Sequence, residues 1–195
     1  MEKHGGNIHQ YQRNIRDFSA NINPRGIPET IYQAMEAGLK EVIHYPDPDC
    51  RELKKAIAKK HGRKQEEIIC GNGAADLIFR LALVLKPSKI LLPAPTFVEY
   101  EEAFSSPAMP KPEILYYYMD QADFEIKETI LDRMDASVEV MILCNPNNPT
   151  GKLIEGALML KILKKAEEEG IFLLVDECFL DFVVDGEKRS LVKYI

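Results

Sequence analysis

The chain is short of cysteine, and the four it has, Cys50, Cys70, Cys144 and Cys178, stand far apart with no Cys-x-x-Cys pair. That spacing suggests neither a zinc site nor a disulfide framework, and it fits a reducing cytoplasm. Long apolar runs are missing as well. No stretch approaches the length that spans a bilayer, and the opening "MEKHGGNIHQYQRN" lacks the apolar centre of a signal peptide, so a soluble protein is expected. Basic charge is in deficit: 25 Lys and Arg stand against 31 Asp and Glu, for a net charge of −6. With a pI near 5.3, the chain lacks the clustered cations that neutralise phosphates, which argues against nucleic acid as a partner and leaves small molecules or other proteins. Internal repeats and low-complexity linkers are also absent.

What is present is ample apolar content, 46% of 195 residues, enough for a core of ordinary domain size or for one piece of a larger protein. Its pattern alternates. Pro28 suits the first turn of a helix carrying Ile31, Met35 and Leu39 at helical spacing, and a second helix is predicted from Cys50 to His61, stopped by Gly62. Short, nearly continuous apolar strands are then predicted at Glu67–Cys70, Lys89–Leu92, Glu113–Tyr118, Val138–Leu143 and Ile171–Val175. Helical stretches separate most of them, at Ala74–Leu85, Phe97–Phe104, Ile126–Met134 and Glu155–Glu169. Strands apolar on both faces and joined by helices imply an α/β fold with a mostly parallel sheet between helices. Ligands of such sheets bind beyond the carboxyl ends of the strands, so the loops there hold the candidate chemistry.

Three of those loops are rich in polar groups. "GNGAAD" from Gly71 opens directly into a helix, and its free N–H groups suit a phosphate, although from these glycines alone a tight strand-to-helix turn without a ligand is the favoured reading. "NPNNPTG", Asn145–Gly151, is stiffened by Pro146 and Pro149 and offers Asn145, Asn147 and Asn148, either to a ligand or to its own turn. The strand Ile171–Val175 delivers Asp176, a carboxylate that needs a hydrogen bond or a cation; a pyridinium N–H, a helix cap or a buried Arg would each serve.

Taken together and in order, "YPDPDCRELKKAIA" (Tyr45–Ala58), "GNGAADLIFRL" (Gly71–Leu81), "PTFVEYEEAF" (Pro95–Phe104), "NPNNPTG" and "DECFLDF" (Asp176–Phe182) resemble the pyridoxal-phosphate enzymes of the aspartate-aminotransferase fold. Within that family the chain looks most similar to the branch of histidinol-phosphate aminotransferase and threonine-phosphate decarboxylase. "HGGN" (His4–Asn7) followed by "DFSANINPRGIP" (Asp17–Pro28) is similar to the decarboxylase start in particular. The resemblance implies the cofactor pyridoxal 5'-phosphate and a homodimer with a shared active site. By position, the backbone of Gly73, Ala74 and Ala75 would hold the cofactor phosphate, with Tyr45 reaching it from the neighbouring subunit. Phe97 would stack on the pyridine ring, Asn148 would bond its phenolic oxygen, and Asp176 would pair with the ring nitrogen. His4, Asn7 and Asn23 are candidates to grip a small phosphorylated amino acid or amino alcohol; a polar N-terminal arm is their alternative reading.

Two departures from the family pattern follow. Phe179 stands where many aminotransferases place a Tyr, which leaves Asn148 as the main partner of the phenolic oxygen and favours the decarboxylase branch. The family's Schiff-base lysine sits in a motif like "SLTK" on a later strand exit. "RSLVK" (Arg189–Lys193) imitates it, but Lys193 follows a predicted surface turn, Val183–Lys188, with no strand before it, and is expected on a surface helix instead. The chain therefore reads as the first half of a family member: residues 1–44 as an N-terminal arm and helix belonging to the small domain and substrate lid, and residues 45–195 as an incomplete large cofactor-binding domain with its C-terminal part missing. The implied activity of the parent is decarboxylation of O-phosphothreonine in cobalamin biosynthesis. An aminotransferase of the same branch, and a non-catalytic binding or assembly module, are the alternatives.

Overall fold

The computed structural model describes residues 5–11 and 15–195. The chain divides into two compact units, Met1–Leu53 and Lys54–Ile195.

In the first unit the predicted helix forms as α1, Glu29–Gly38, with Pro28 at its N-cap, where a fixed φ of −57° suits the entry and no N–H is missed. Its apolar stripe is open: Ile31, Met35 and Leu39 are each more than half exposed. No described residue between 5 and 50 is buried. Helix α2, Arg51–His61, runs through the division between the units. Asp47 tethers its start by accepting the Arg51 N–H at 2.9 Å, and the chain leaves it through Gly62 at φ +63°, a left-handed turn open to glycine without strain.

The second unit is built on four parallel strands: β1 (Lys89–Ala94), β2 (Glu113–Tyr118), β3 (Val140–Cys144) and β4 (Phe172–Asp176), in the order β2-β1-β3-β4. β3 is buried along its whole length, as strands covered on both faces should be. Residues alternate between two cores. Leu91, Met141 and Leu143, with Leu173 and Val175, pack under α5 (Gly156–Glu169) through Leu158, Met159, Ile162 and Ala166. Ile90, Leu92, Val140, Ile142 and Cys144, with Leu174, pack against α3 (Gly73–Leu85) and α4 (Val98–Phe104) through Ile78, Ala82, Tyr100, Ala103 and Phe104. The expected α/β architecture is thus present, with helices on both faces of the sheet.

Strand order then locates the crevice. From β1 the chain passes through α4 outward to β2, and from β3 through α5 outward to β4, so the two central strands send their connections in opposite directions. The loops after β1 and β3 part at that switch point, where open α/β sheets bind ligands.

Three expectations are corrected. Glu67–Cys70 is not a strand: Gln65–Glu67 forms a 3-10 turn, and Ile68 is extended (φ −117°, ψ 128°) but has no ladder partner among the described residues, with Ile69 73% exposed. Strand-like sequence without a neighbour has no inter-strand bonds to make. The stretch Ile126–Met134 holds a 3-10 helix, Glu128–Arg133, rather than an α-helix. Within the turn expected at Val183–Lys188 a short helix begins, α6 (Gly186–Arg189), after Asp185 at φ +58°.

Candidate active site

The first loop is the glycine turn ahead of α3. Gly73 sits at φ +84°, a conformation that side chains rarely adopt, and nothing lies within 4 Å of where its Cβ would stand. Gly71 is constrained differently: a Cβ there would come within 2.9 Å of Leu77 and the Asp76 carboxylate. That carboxylate accepts the Asn72 N–H at 2.9 Å and pairs with Arg80 at 2.9 Å, so it braces the turn and its charge is balanced. Its pKa is held below the ordinary value, first by the Asn72 N–H and then by Arg80. Asn72 makes no side-chain cap, which leaves the first-turn N–H groups at Ala74 and Ala75 uncapped by it and directed out of the helix start.

The loops after β1 and β3 are tied to each other. Asn147 accepts the Thr96 hydroxyl at 2.8 Å and donates its amide to the Pro95 carbonyl at 3.0 Å and to Thr150 Oγ1 at 2.9 Å. Asn145 is used internally too: its Oδ1 accepts the Ile154 N–H at 2.9 Å, and its own N–H donates to the Asp176 carbonyl. Both residues are buried. Asn148, half-buried, takes no part in these side-chain bonds. Of three neighbouring asparagines, two stiffen the loop and the third is spared.

Asp176 ends β4 opposite Cys144 of β3. Its Oδ2 accepts the Tyr100 hydroxyl at 2.8 Å and its Oδ1 accepts the Cys178 N–H at 2.9 Å. The carboxylate thus meets a local cap and a phenol, not a buried Arg. Burial first, then the nearby Cys144 and Asp176, push the Tyr100 phenol far above its usual pKa. Burial, followed by Asp176, pushes the Cys178 thiol up to about 12, and burial raises the Cys144 thiol. All three neighbours therefore stay protonated and uncharged at neutral pH. Phe97, at the start of α4, is partly buried and stands edge-on to Tyr100, ring centroids 5.6 Å apart. Ala74, Phe97, Tyr100 and Cys144 share one apolar cluster, which gathers the three loops on one side of the sheet.

Glu177 alternates to the opposite face. It accepts Ser190 Oγ at 2.7 Å and the Leu191 N–H at 2.8 Å, fastening the last residues beside a cleft of about 680 Å³ lined by Leu173, Val175 and Lys193. Lys193 lies in a 3-10 helix, Leu191–Tyr194, exposed, with its Nζ 5.1 Å from the Tyr194 ring centre. It stands on the surface, as expected, with the face opposite Asp176.

The remaining sequence candidates belong to the first unit. His4 lies outside the described residues. Asn7 precedes a 3-10 turn, Ile8–Gln10, without capping it. Asn23 closes its own turn, accepting the Arg25 N–H and donating to the Gly26 carbonyl. Tyr45 is fully exposed. Sequence reasoning missed Tyr100, Thr96 and Asp76; for Tyr100 the available signal was its place three residues after Phe97, on the same helical face.

The family model for aminotransferase class I and II matches residues 13–193. The chain belongs to that family. Its cofactor is pyridoxal 5'-phosphate. The threonine-phosphate decarboxylase of Salmonella typhimurium is 35% identical over 188 residues, 92% of this chain and 51% of that protein. A relative from Caldanaerobacter subterraneus subsp. tengcongensis, named as a candidate threonine-phosphate decarboxylase, is 41% identical over 99% of this chain and 52% of its own length. Among solved structures, the histidinol-phosphate aminotransferase from Clostridium acetobutylicum has a TM-score of 0.79 at 33% identity, covering 91% of this chain and 51% of that one. The chain spans about half the length of the relatives it matches. Among the described residues, no helix is long and apolar enough to cross a membrane.

Family cofactor and residues fit at each end. A helix start that Asn72 does not cap suits a phosphate, a half-buried amide is spared in the loop after β3, and a carboxylate with acceptor capacity left suits a protonated ring nitrogen.

Proposed function

We propose that the chain forms the cofactor cradle of a pyridoxal-phosphate lyase that decarboxylates L-threonine O-3-phosphate to (R)-1-aminopropan-2-yl phosphate, a reaction of cobalamin biosynthesis. The observation that carries this reading is the identity gradient: 41% and 35% to the decarboxylase-named relatives, against 28% to 32% for five histidinol-phosphate aminotransferases. A third relative, 33% identical, is named an adenosylcobalamin biosynthesis bifunctional protein. The solved structures lean the other way, towards the aminotransferase at 33% identity and away from a threonine-phosphate decarboxylase at 24%. That aminotransferase match, 33% over 91% of this chain, still lies below the 41% and 35% of the decarboxylase-named relatives, so the order of identities supports the decarboxylase reading.

Pyridoxal phosphate supplies an electron sink for a bond broken at the substrate's Cα. Around it, the N–H groups of Ala74 and Ala75 would bind the phosphate against the backbone of Gly73, whose own N–H donates to the Gly71 carbonyl at 2.9 Å, and Tyr45 would reach it from a second copy of the chain in a homodimer. Phe97 covers a ring face and excludes water. Asn148 donates to the phenolic oxygen, with no second donor from Phe179. Asp176 holds the proton on the ring nitrogen. His4, Asn7 and Asn23 orient the substrate's phosphate and carboxylate, and that orientation selects whether CO2 or a proton leaves. The covalent lysine comes from sequence outside these residues, so the activity belongs to the parent protein.

Product analysis tests this reading. With L-threonine O-3-phosphate and pyridoxal phosphate, the full gene product should release CO2 and the amino alcohol phosphate without 2-oxoglutarate. A keto product that requires 2-oxoglutarate would assign an aminotransferase, and absence of both a product and cofactor binding would assign a non-catalytic module. Borohydride reduction followed by peptide mapping locates the lysine: labelling of Lys193 would refute its surface assignment.

A further inference from the structure

Tyr100 lies within the motif Pro95–Phe104 with no role assigned to it there, yet it joins Asp176 to Phe97. It lies on α4, is fully buried, donates its hydroxyl to Asp176 Oδ2 at 2.8 Å and stands edge-on to Phe97. A buried phenol needs a partner for its O–H, and a carboxylate held by one backbone N–H alone is free to swing about its last bond. Here both oxygens are pinned, Oδ1 by the Cys178 N–H and Oδ2 by the phenol. A carboxylate offers about four lone-pair sites, so even with the Cys178 thiol also hydrogen bonded to it, acceptor capacity remains, in a plane that can no longer rotate.

We propose that Tyr100 is a positioning residue: its hydroxyl fixes the plane of the Asp176 carboxylate, so that the remaining acceptor edge is presented to a cationic ring N–H. The inference rests on the cofactor reading above for the identity of that N–H. The groups facing the carboxylate are Tyr100 from α4, Cys144 from β3 and Cys178 from the loop after β4. Each stays protonated through neutral pH, so none competes for the charge. Tyr100 also links the carboxylate mechanically to Phe97, so a shift of either reaches the other.

The test is Tyr100→Phe in the 195-residue chain, which removes one oxygen and keeps the ring. The Asp176 carboxyl is titrated without cofactor by carbon NMR on aspartate-labelled protein, assigned with Asp176→Asn. Loss of a hydrogen bond to the charged form should raise the Asp176 pKa by about one unit. Pyridoxal phosphate, followed by its absorbance, should bind about tenfold more weakly, and the substitution should add nothing in an Asp176→Asn background. An unchanged titration overturns the proposal. A shifted titration in a chain that binds no pyridoxal phosphate supports the positioning role and removes the cofactor reading. An unshifted titration with cofactor affinity intact does the reverse. If Tyr100→Phe does not fold, the wild-type chain still decides: the Tyr100 hydroxyl proton should exchange slowly and move in Asp176→Asn, and a resonance indifferent to that change overturns the proposal.

Discussion

Asn147 and Asn148 are adjacent, chemically identical, and assigned opposite work. Replacing Asn147 by Ala removes three side-chain hydrogen bonds, to Thr96, Pro95 and Thr150, at 2.8, 3.0 and 2.9 Å. At roughly 1 kcal/mol net for each, the folded state loses about 3 kcal/mol, a large part of a domain's usual 5–15 kcal/mol. With a urea m-value of about 2 kcal/mol/M, the unfolding midpoint should fall by about 1.5 M at constant m. Asn148→Ala removes none of these bonds, so its midpoint should stay within about 0.5 kcal/mol of the parent while pyridoxal phosphate affinity drops. Urea unfolding followed by circular dichroism reads the first effect and cofactor absorbance the second. Thr96→Val combined with Asn147→Ala should be less than additive, because the two share a bond. If Asn147→Ala loses under about 1 kcal/mol, or Asn148→Ala loses as much as Asn147→Ala, the division of labour is wrong.

Acid should weaken the fold through carboxylates such as Asp76, whose pKa lies below its ordinary value when folded because the Asn72 N–H and Arg80 favour its charge. The unfolded chain then takes up the proton first, so this contribution is whole above about pH 4 and is lost as pH falls further. Urea midpoints measured from pH 6 to pH 3 should show a shallower decline for Asp76→Asn. Cys178 is exposed yet held at about pKa 12, so at pH 8 iodoacetamide should modify it on the order of a hundredfold or more slower in the folded chain than in urea. Equal rates would remove the desolvation argument. In the core, Ile162→Val should cost about 1 kcal/mol at a site with no exposure, while the 46%-exposed Leu160 should tolerate Ala within about 0.5 kcal/mol by core-burial measures, apart from small helix-propensity effects.

The sequence by itself determined the fold class and most of its elements. Apolar runs bounded by polar loops marked four of the strands, because a strand covered on both faces has no polar side to show, and α3 and α5 were legible as the helical stretches Ala74–Leu85 and Glu155–Glu169. Ordered motifs marked the family. What the sequence left open, tertiary pairing decided. Glu67–Cys70 reads as a strand, but a strand exists only with a neighbour, and none stands beside it among the described residues. Asn145, Asn147 and Asn148 are one residue type in one loop; only the positions of Ile154, Pro95 and Thr96 separate braces from the spared amide. Asp176 and Glu177 are adjacent carboxylates, and the pleat sends one to Tyr100 and the other to Ser190 across the sheet. Local pattern fixes which groups are polar and where the chain turns; which of them meet depends on strand order and register, a property of the packed whole.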